Sequence, residues 1–239
     1  VKDGNECERT YSVTITQPTA LSSSAVGVKP TCYNDSDGSI TVTASGGTSP
    51  YEYELSGGGF QSSNIFSNLS SGSYTGRVRD NNGCISTFSS NITRTQVSAT
   101  VSQVNVKCNG GSDGSITVSN PSGGTNSTYQ VKLNSGGTYE EFTNKTYSNL
   151  TPATYTIYVK DENDCERTYS VTITQPNAVS LTTTYSNPTC HDDNDGSITV
   201  TASGGNGVYE YSKDGGVNYQ SSNSFTGLTT GTYTLVVRD

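Results

Sequence analysis

The chain has 239 residues, a net charge of −8 and only 30% hydrophobic residues, with no tryptophan and no methionine. Because it contains no cluster of lysine or arginine that could neutralise phosphates, nucleic acid is excluded as a partner. No apolar run approaches the roughly 18 residues that a membrane-spanning helix needs, so this fragment has no predicted transmembrane segment.

The sequence is built from repeats. Residues 1–18 recur as residues 159–176 with 16 of 18 positions identical, and the motif Asp-Gly-Ser-Ile-Thr-Val begins at Asp37, Asp113 and Asp195. These spacings give a module of about 80 residues, which suits a self-contained domain. The chain opens and closes on related motifs and lacks an initiator methionine, which predicts an excerpt of a longer protein. The predicted parts are the last strand of a preceding module (1–18), two complete β-sandwich modules (19–96 and 97–176) and a module without its final strand (177–239).

The predicted elements follow the same order in each module. Each module begins with a strand in which apolar and polar residues alternate. Next come the Ile/Val run that follows the Asp-Gly motif, a Gly-Gly turn, and a Tyr-rich run with apolar residues at alternate positions. In the first Tyr-rich run, this alternation places Glu52 and Glu54 on the exposed face of one strand. No helical period occurs, so we expect an all-β fold of tandem immunoglobulin-like or fibronectin-like antiparallel β-sandwich modules stacked end to end.

A Leu-x-x-small-x-Tyr motif opens the next strand of each module. Its tyrosines are Tyr74, Tyr155 and Tyr233. In immunoglobulin-like sandwiches, a tyrosine at this position donates a hydrogen bond back to the backbone and forms a tyrosine corner. We predict the same role here. Short joints marked by Gln17-Pro18, Thr95-Gln96 and Gln175-Pro176 leave no long linker, which favours a rod over loosely tethered domains.

Six cysteines occupy two positions per module. Cys32, Cys108 and Cys190 precede the Asp-Gly motif, and Cys7, Cys84 and Cys165 follow the strand that ends in Arg/Lys-Asp. An even count in this composition predicts disulfides and an oxidising compartment.

Three pairings of these cysteines are open. Pairing within modules, Cys32–Cys84 and Cys108–Cys165, conflicts with an immunoglobulin-like topology, which separates these loops by roughly 25 Å. Pairing of Cys32 with Cys165 joins neighbouring modules of an end-to-end stack. A third scheme, Cys7–Cys32, Cys84–Cys108 and Cys165–Cys190, uses all six cysteines but requires a hairpin at each joint.

Two acidic loops resemble fragments of a calcium site. The candidate ligands are Asp35, Asp37, Asp192, Asp193 and Asp195. The loops fail as EF-hands because no helices flank them, and one loop offers too few oxygens for Ca²⁺, which needs six or more. The favoured interpretation is a turn before a strand, with calcium as the alternative if the loop around Asp80 or Asp161 adds ligands.

The sequence offers little for catalysis. His191 is the only histidine, and the equivalent positions hold Tyr33 and Asn109. Glu52 and Glu54 are better explained as neighbours on one exposed strand face than as a glycosidase pair. We therefore expect no catalytic residues, no cofactor and no enzymatic activity.

The combined module resembles the SprB repeat. The resemblance rests on a Cys, a short Asn/Gly/Asp loop, Asp-Gly-Ser-Ile-Thr-Val, Ser-Gly-Gly, Tyr-x-Tyr, Leu-x-x-Gly-x-Tyr, Val-x-Asp-x-x-Gly-Cys and Ile-Thr-Gln-Pro, and it spans essentially the whole chain. The second module departs from it at Ala153 and at Ser119-Asn120-Pro121.

The resemblance implies a stalk segment of a mobile adhesin on the surface of gliding bacteria of the Bacteroidota. Such a protein is exported by the type IX secretion system, associates with the outer membrane, and has the gliding and secretion machinery, external surfaces and neighbouring repeats as partners. The alternative is an array in which each repeat binds polysaccharide weakly and affinity comes from multivalency.

Overall fold

The computed structural model describes residues 1–125 and 127–239. The chain divides into two compact units. The first comprises Val1–Val97, Gly123–Ser127 and Asp161–Cys165, and the second comprises Ser98–Ser122, Thr128–Lys160 and Glu166–Asp239. The described residues form antiparallel strands and no helix, which confirms the predicted all-β antiparallel fold.

Six strands in the first unit form what we call the first sheet pair. They are β1 (Ser22–Val28), β2 (Gly38–Ser45), β3 (Glu52–Leu55), β4 (Ile65–Leu69), β5 (Ser73–Arg79) and β6 (Ile85–Asn91). One sheet has the order β1-β2-β4 and the other β3-β5-β6. Ile40 and Val42 of β2 share one buried cluster with Val78 of β5 and Phe88 of β6, so the two sheets enclose a common core.

Seven strands in the middle of the chain form the second sheet pair. They are β7 (Ser98–Val104), β8 (Gly114–Ser122), β9 (Tyr129–Leu133), β10 (Glu140–Glu141), β11 (Asn144–Leu150), β12 (Ala153–Asp161) and β13 (Glu166–Ile173). The sheet orders are β11-β8-β7 and β10-β9-β12-β13. Ile116 and Val118 of β8 and Ile157 and Val159 of β12 are fully buried, as the period-2 pattern requires.

The third sheet pair ends the chain. Its strands are β14 (Ser180–Ser186), β15 (Gly196–Ser203), β16 (Glu210–Ser212), β17 (Ser224–Leu228) and β18 (Val236–Arg238), in sheets of order β14-β15-β17 and β16-β18. Val200, Tyr211, Phe225 and Leu228 form its buried cluster. Within the described residues, β18 has one neighbouring strand, whereas β12 has two.

Close packing between neighbouring strands explains the glycine of the Asp-Gly motif. A methyl group on Gly38 would lie 2.7 Å from the backbone oxygen of Leu69, and one on Gly114 would lie 2.8 Å from that of Leu150. These distances are shorter than carbon–oxygen contact allows, so only glycine lets β2 approach β4 and β8 approach β11 this closely.

The expectation that Glu54 is exposed was wrong. Its side chain is 2% exposed, because Arg77 lies opposite it in the register of β3 and β5 and places Nε 2.5 Å from Oε2. The backbone nitrogen of Gly57 donates to the other carboxylate oxygen. The Arg77 guanidinium holds the pKa of the Glu54 carboxyl below its usual range.

Candidate functional site

Three loops of the first compact unit meet around the first cysteine of the chain. They are the loop between β1 and β2 (residues 29–37), residues 123–125 before β9, and the loop between β12 and β13 (162–165). We call the residues that connect them the loop cluster: Thr31, Cys32, Thr125, Asp161 and Cys165.

Asp37 fixes the loop that carries Cys32. One oxygen of its carboxylate accepts a hydrogen bond from the backbone nitrogen of Thr31 at 2.8 Å, and the other accepts one from the Thr31 hydroxyl at 2.5 Å. These bonds hold the pKa of the Asp37 carboxyl below its usual range. Asp35 adds a bond of 3.1 Å from the backbone nitrogen of Cys32. The loop therefore presents Cys32 in a defined position.

Asp161 fixes the loop that carries Cys165. Its side chain is 1% exposed. One carboxylate oxygen accepts hydrogen bonds from the backbone nitrogens of Asn163 at 2.9 Å and Cys165 at 3.0 Å. The other accepts a bond of 2.8 Å from the backbone nitrogen of Thr125. One buried carboxylate thus connects two loops, with its charge balanced by three N–H donors.

A disulfide joins Cys32 to Cys165, with an S–S distance of 2.10 Å and Cα atoms 5.3 Å apart. The Cys165 sulfur also lies 3.3 Å from the backbone oxygen of Thr31. This is a contact and not a hydrogen bond, because a disulfide sulfur carries no hydrogen. Of the three schemes left open by the sequence, the structure has the one that joins loops of different repeats, and the other two are wrong for Cys32.

The second compact unit contains a related arrangement around Lys107, which precedes Cys108 as Thr31 precedes Cys32. The Asn206 side-chain amide donates to the backbone oxygen of Lys107 at 3.2 Å. Thr125 approaches the backbone oxygen of Thr31 in the same way, at 3.5 Å. The Asn206 backbone nitrogen donates to Asp239 at 2.6 Å, as that of Thr125 donates to Asp161.

The remaining cysteines are Cys7, Cys84, Cys108 and Cys190, and all four are exposed free thiols. Cys7 and Cys84 each follow an aspartate by four residues, as Cys165 follows Asp161. Asp80 accepts hydrogen bonds from the backbone nitrogens of Thr48 at 2.9 Å and Cys84 at 2.8 Å. The bond from Thr48 is the main reason that the pKa of Asp80 lies below its usual range.

The calcium candidates serve mainly as loop-forming groups. Asp195 accepts bonds from the Thr189 backbone nitrogen at 2.9 Å and from its hydroxyl at 2.5 Å, which repeats the geometry of Asp37. The Asp192 carboxylate lies 2.9 Å from Nδ1 of His191, with both side chains largely exposed. Across residues 1–125 and 127–239, no three His, Cys, Asp or Glu side chains come together as a metal site. Asp193 lies in the same exposed loop.

The three predicted corner tyrosines make equivalent bonds. The hydroxyl groups of Tyr74, Tyr155 and Tyr233 donate to the backbone oxygens four residues earlier, those of Ser70, Thr151 and Thr229, each at 2.9 Å. This is the backbone bond that defines a tyrosine corner. The bond fixes the turn before the segment that leads to the aspartate found at the same place in each repeat: Asp80, Asp161 or Asp239.

A comparison with protein-family models matched the SprB repeat at residues 26–60, 100–138 and 182–218. Each match starts within the first strand of a sheet pair and includes the cysteine and the Asp-Gly motif. Three segments of this chain are thus similar to the SprB repeat. The matched segments cover just under half of the chain and confirm the resemblance in the sequence.

Comparisons with solved structures gave similarities at low identity. One is the crystal structure of a tetra-tandem repeat in the extending region of a large adhesion protein, with a TM-score of 0.28, 14% identity, and coverage of 92% of this chain and 72% of that one. Another is that of the N-terminal eight Ig domains of the Down Syndrome Cell Adhesion Molecule, with a TM-score of 0.28, 9% identity, and coverage of 93% and 46%. A comparison with curated proteins found no match.

Each of the three sheet pairs also places a cation over an aromatic ring, a feature that the sequence interpretation missed. The guanidinium of Arg79 lies 4.2 Å from the ring centre of Phe60, and that of Arg238 lies 3.8 Å from the ring centre of Tyr219. In the middle repeat, the ring of Tyr139 lies 4.3 Å from the Lys160 ammonium. The recurring segments Phe60-Gln-Ser-Ser-Asn and Tyr219-Gln-Ser-Ser-Asn are the signal that could have revealed it.

In the described part of the chain, no helix is long and apolar enough to cross a membrane.

Proposed function

We propose that this chain is a non-enzymatic stalk segment of a mobile cell-surface adhesin used in bacterial gliding and surface attachment. The observation that carries the proposal is the disulfide between Cys32 and Cys165. Cys32 lies in the first segment that matches the SprB repeat, and Cys165 follows the second. A covalent bond between loops of successive repeats is what a load-bearing array needs, because tension can then pass from repeat to repeat without unfolding the strands between them.

The hydrogen bonds around the disulfide support the same role. Asp161 connects the loop of Cys165 to Thr125 through backbone nitrogens, and its burial keeps competing water away from these bonds. The hydrogen bond from the Tyr155 hydroxyl to the Thr151 backbone oxygen reduces the freedom of one flanking turn. The bond from the Thr31 backbone nitrogen to Asp37 does the same for the loop of Cys32. Rigid loops on both sides of a bond favour transmission of force over bending.

The chemistry of the chain also fits a location outside the cell. A disulfide persists in an oxidising compartment and is rare where thiols are kept reduced. The net charge of −8 opposes the association of neighbouring filaments. Under this proposal the partners are neighbouring repeats, external surfaces, and the gliding and type IX secretion machinery at the outer membrane.

Antibodies raised against the 239-residue chain test this proposal on the source bacterium. We expect them to label intact cells and the labelled spots to move along the cell surface. An antibody against a periplasmic protein, which should label only permeabilised cells, is the control. Labelling that requires permeabilisation would exclude a surface stalk.

A multivalent polysaccharide-binding array is the second candidate. The recurring rings of Phe60, Tyr139 and Tyr219 favour it, since aromatic side chains at equivalent positions could each contact a sugar. However, a cation covers each of these rings, at 3.8 Å for Arg238 over Tyr219, and this occupies the face on which a sugar would stack. Binding of the intact chain to a glycan array, lost in Phe60→Ala and Tyr219→Ala, would favour this candidate over the stalk.

A further inference from the structure

The disulfide gives the chain a second covalent path. Cys32 follows β1, Cys165 precedes β13, and the two cysteines are 133 positions apart. From Ser22 at the start of β1 to Ile173 at the end of β13, one path runs through every strand from β2 to β12. The other runs from β1 through the sulfur atoms directly into β13. Because the second path is far shorter, it carries any tension that is applied to the two ends of the chain.

The two strands of the short path are already extended. β1 has 7 residues and β13 has 8. A strand rises about 3.3 Å per residue, and a fully stretched chain reaches at most about 3.6 Å. Detaching both strands from their neighbours therefore lengthens the path by only about 5 Å in total. Since tension does work only where the path lengthens, it scarcely favours this detachment.

The connections between these strands and the disulfide are short and fixed. Residues 29–31 join β1 to the first cysteine, and three residues span at most about 11 Å. The backbone nitrogen and the hydroxyl of Thr31 donate to Asp37 at 2.8 and 2.5 Å, which holds this loop in place. On the other side, Cys165 is followed directly by Glu166, the first residue of β13. The short path therefore has almost no slack.

Most of the core of the first two sheet pairs lies outside the short path. The fully buried side chains between the two cysteines are Ile40, Val42, Val78, Ile92, Ile116, Val118, Val131, Ile157 and Val159. The strands that carry most of them belong to the closed loop between the cysteines, and that loop bears no tension while the disulfide is intact. Their hydrogen bonds and apolar contacts are therefore not what resists pulling.

We infer that β1, the Cys32–Cys165 bond and β13 form a strap of nearly constant length, and that β2 to β12 stay folded under tension because the strap carries it for them. This inference deepens the proposed stalk function and rests on it for the source of the tension. The length of such a stalk does not depend on how stable its enclosed strands are. A cut in the chain anywhere between the two cysteines also leaves the strap connected.

The first test is single-molecule pulling of the 239-residue chain between Val1 and Asp239. In the oxidised chain, the segment from Ser22 to Ile173 should lengthen by less than about 20 Å before the disulfide breaks. No unfolding step of the first or second sheet pair should appear. Both steps should appear in reductant, and they should appear without reductant in Cys32→Ser.

Ile116→Val separates the strap from the stability of the enclosed core. Ile116 of β8 is fully buried, and this substitution weakens a core mildly without preventing folding. In the reduced chain it should lower the force at which the second sheet pair unfolds. In the oxidised chain it should change nothing. Unfolding steps of the enclosed strands in the oxidised chain, or an effect of Ile116→Val there, would overturn the proposal.

The second test cuts the chain while it is held under tension. A site for a specific protease is inserted after Gly59, between the two cysteines, or after Gly207, outside them. Both glycines are exposed, and a methyl group on either would have no atom within 4 Å. The oxidised chain should keep its tether after the cut at Gly59 and lose it only when reductant is added. The cut at Gly207 should release the tether at once.

Loss of the oxidised tether on cutting at Gly59 would overturn the strap. Because this measurement uses the isolated chain, that result would leave the location on the cell surface untouched. Antibodies that label only permeabilised cells would instead exclude the surface stalk and leave the strap standing.

Discussion

Cys32 and Cys165 are 133 positions apart in the sequence, yet a disulfide joins them with their Cα atoms at 5.3 Å. Closing so long a loop restricts the unfolded chain strongly. We predict that Cys32→Ser lowers the free energy of unfolding of the first compact unit by about 3 to 5 kcal/mol. Calorimetry in the absence of reductant measures the loss. Cys84→Ser, at an exposed free thiol, is the matched control and should melt like the unmodified chain.

Acid should destabilise the fold through its loop carboxylates. Hydrogen bonds hold the pKa values of Asp37, Asp80 and Asp195 below the usual range when the protein is folded. Their contribution is therefore complete above the unfolded value of about 3.9 and is lost as the pH falls through the folded values. Melting temperatures measured between about pH 6 and about pH 2 should fall steeply at the acid end. In Asp80→Asn the fall should be smaller, and an unchanged slope would contradict this assignment.

The tyrosine corner should make a measurable contribution. Tyr74→Phe removes the hydroxyl that donates to the Ser70 backbone oxygen at 2.9 Å and leaves the ring in place. We expect a loss of about 1 kcal/mol in the free energy of unfolding, the usual net contribution of one hydrogen bond. Denaturant titration measures it. Tyr185→Phe, at a side chain that is 73% exposed, should change stability by less than about 0.5 kcal/mol.

The glycine of the Asp-Gly motif should not tolerate a side chain. In Gly114→Ala the new methyl group would lie 2.8 Å from both the Leu150 backbone oxygen and the Ile173 side chain. Relieving these contacts requires β8 to move away from β11, so we expect a loss of about 1 to 3 kcal/mol. Thermal unfolding tests it. Gly59→Ala has no atom within 4 Å of its methyl group and serves as the control.

The sequence predicted the repeats, the antiparallel strands, and turns at the Gly-Gly and Asp-Gly positions, because these depend on local periodicity and on Gly and Asp chemistry. The corner tyrosines were recognisable for the same reason: the bond from Tyr74 to Ser70 spans only four residues. Asp161 shows the limit of that approach. The sequence placed it at the end of a strand that precedes a cysteine, but nothing local indicated that its carboxylate also accepts a bond from Thr125.

Two further features depend on contacts between distant residues. The cysteine pairing stayed open because it is decided by which loops meet, and Cys32 meets a loop 133 positions away. Glu54 was misplaced because strand alternation assigns a face but not what covers that face. Arg77, opposite it on β5, buries the carboxylate beneath an ion pair. Its charge is thus neutralised at a position that alternation assigns to solvent.

Single-molecule pulling between Val1 and Asp239 tests most directly whether the disulfide carries load between repeats. The bond removes 133 residues from the stretched path. At about 3.4 Å per residue, the fully unfolded oxidised chain should be about 450 Å shorter than the reduced chain. The double variant Cys84→Ser, Cys108→Ser should show the same difference, because neither thiol takes part in the bond. Equal lengths with and without reductant, or a difference that disappears in the double variant, would contradict a load-bearing bond between Cys32 and Cys165.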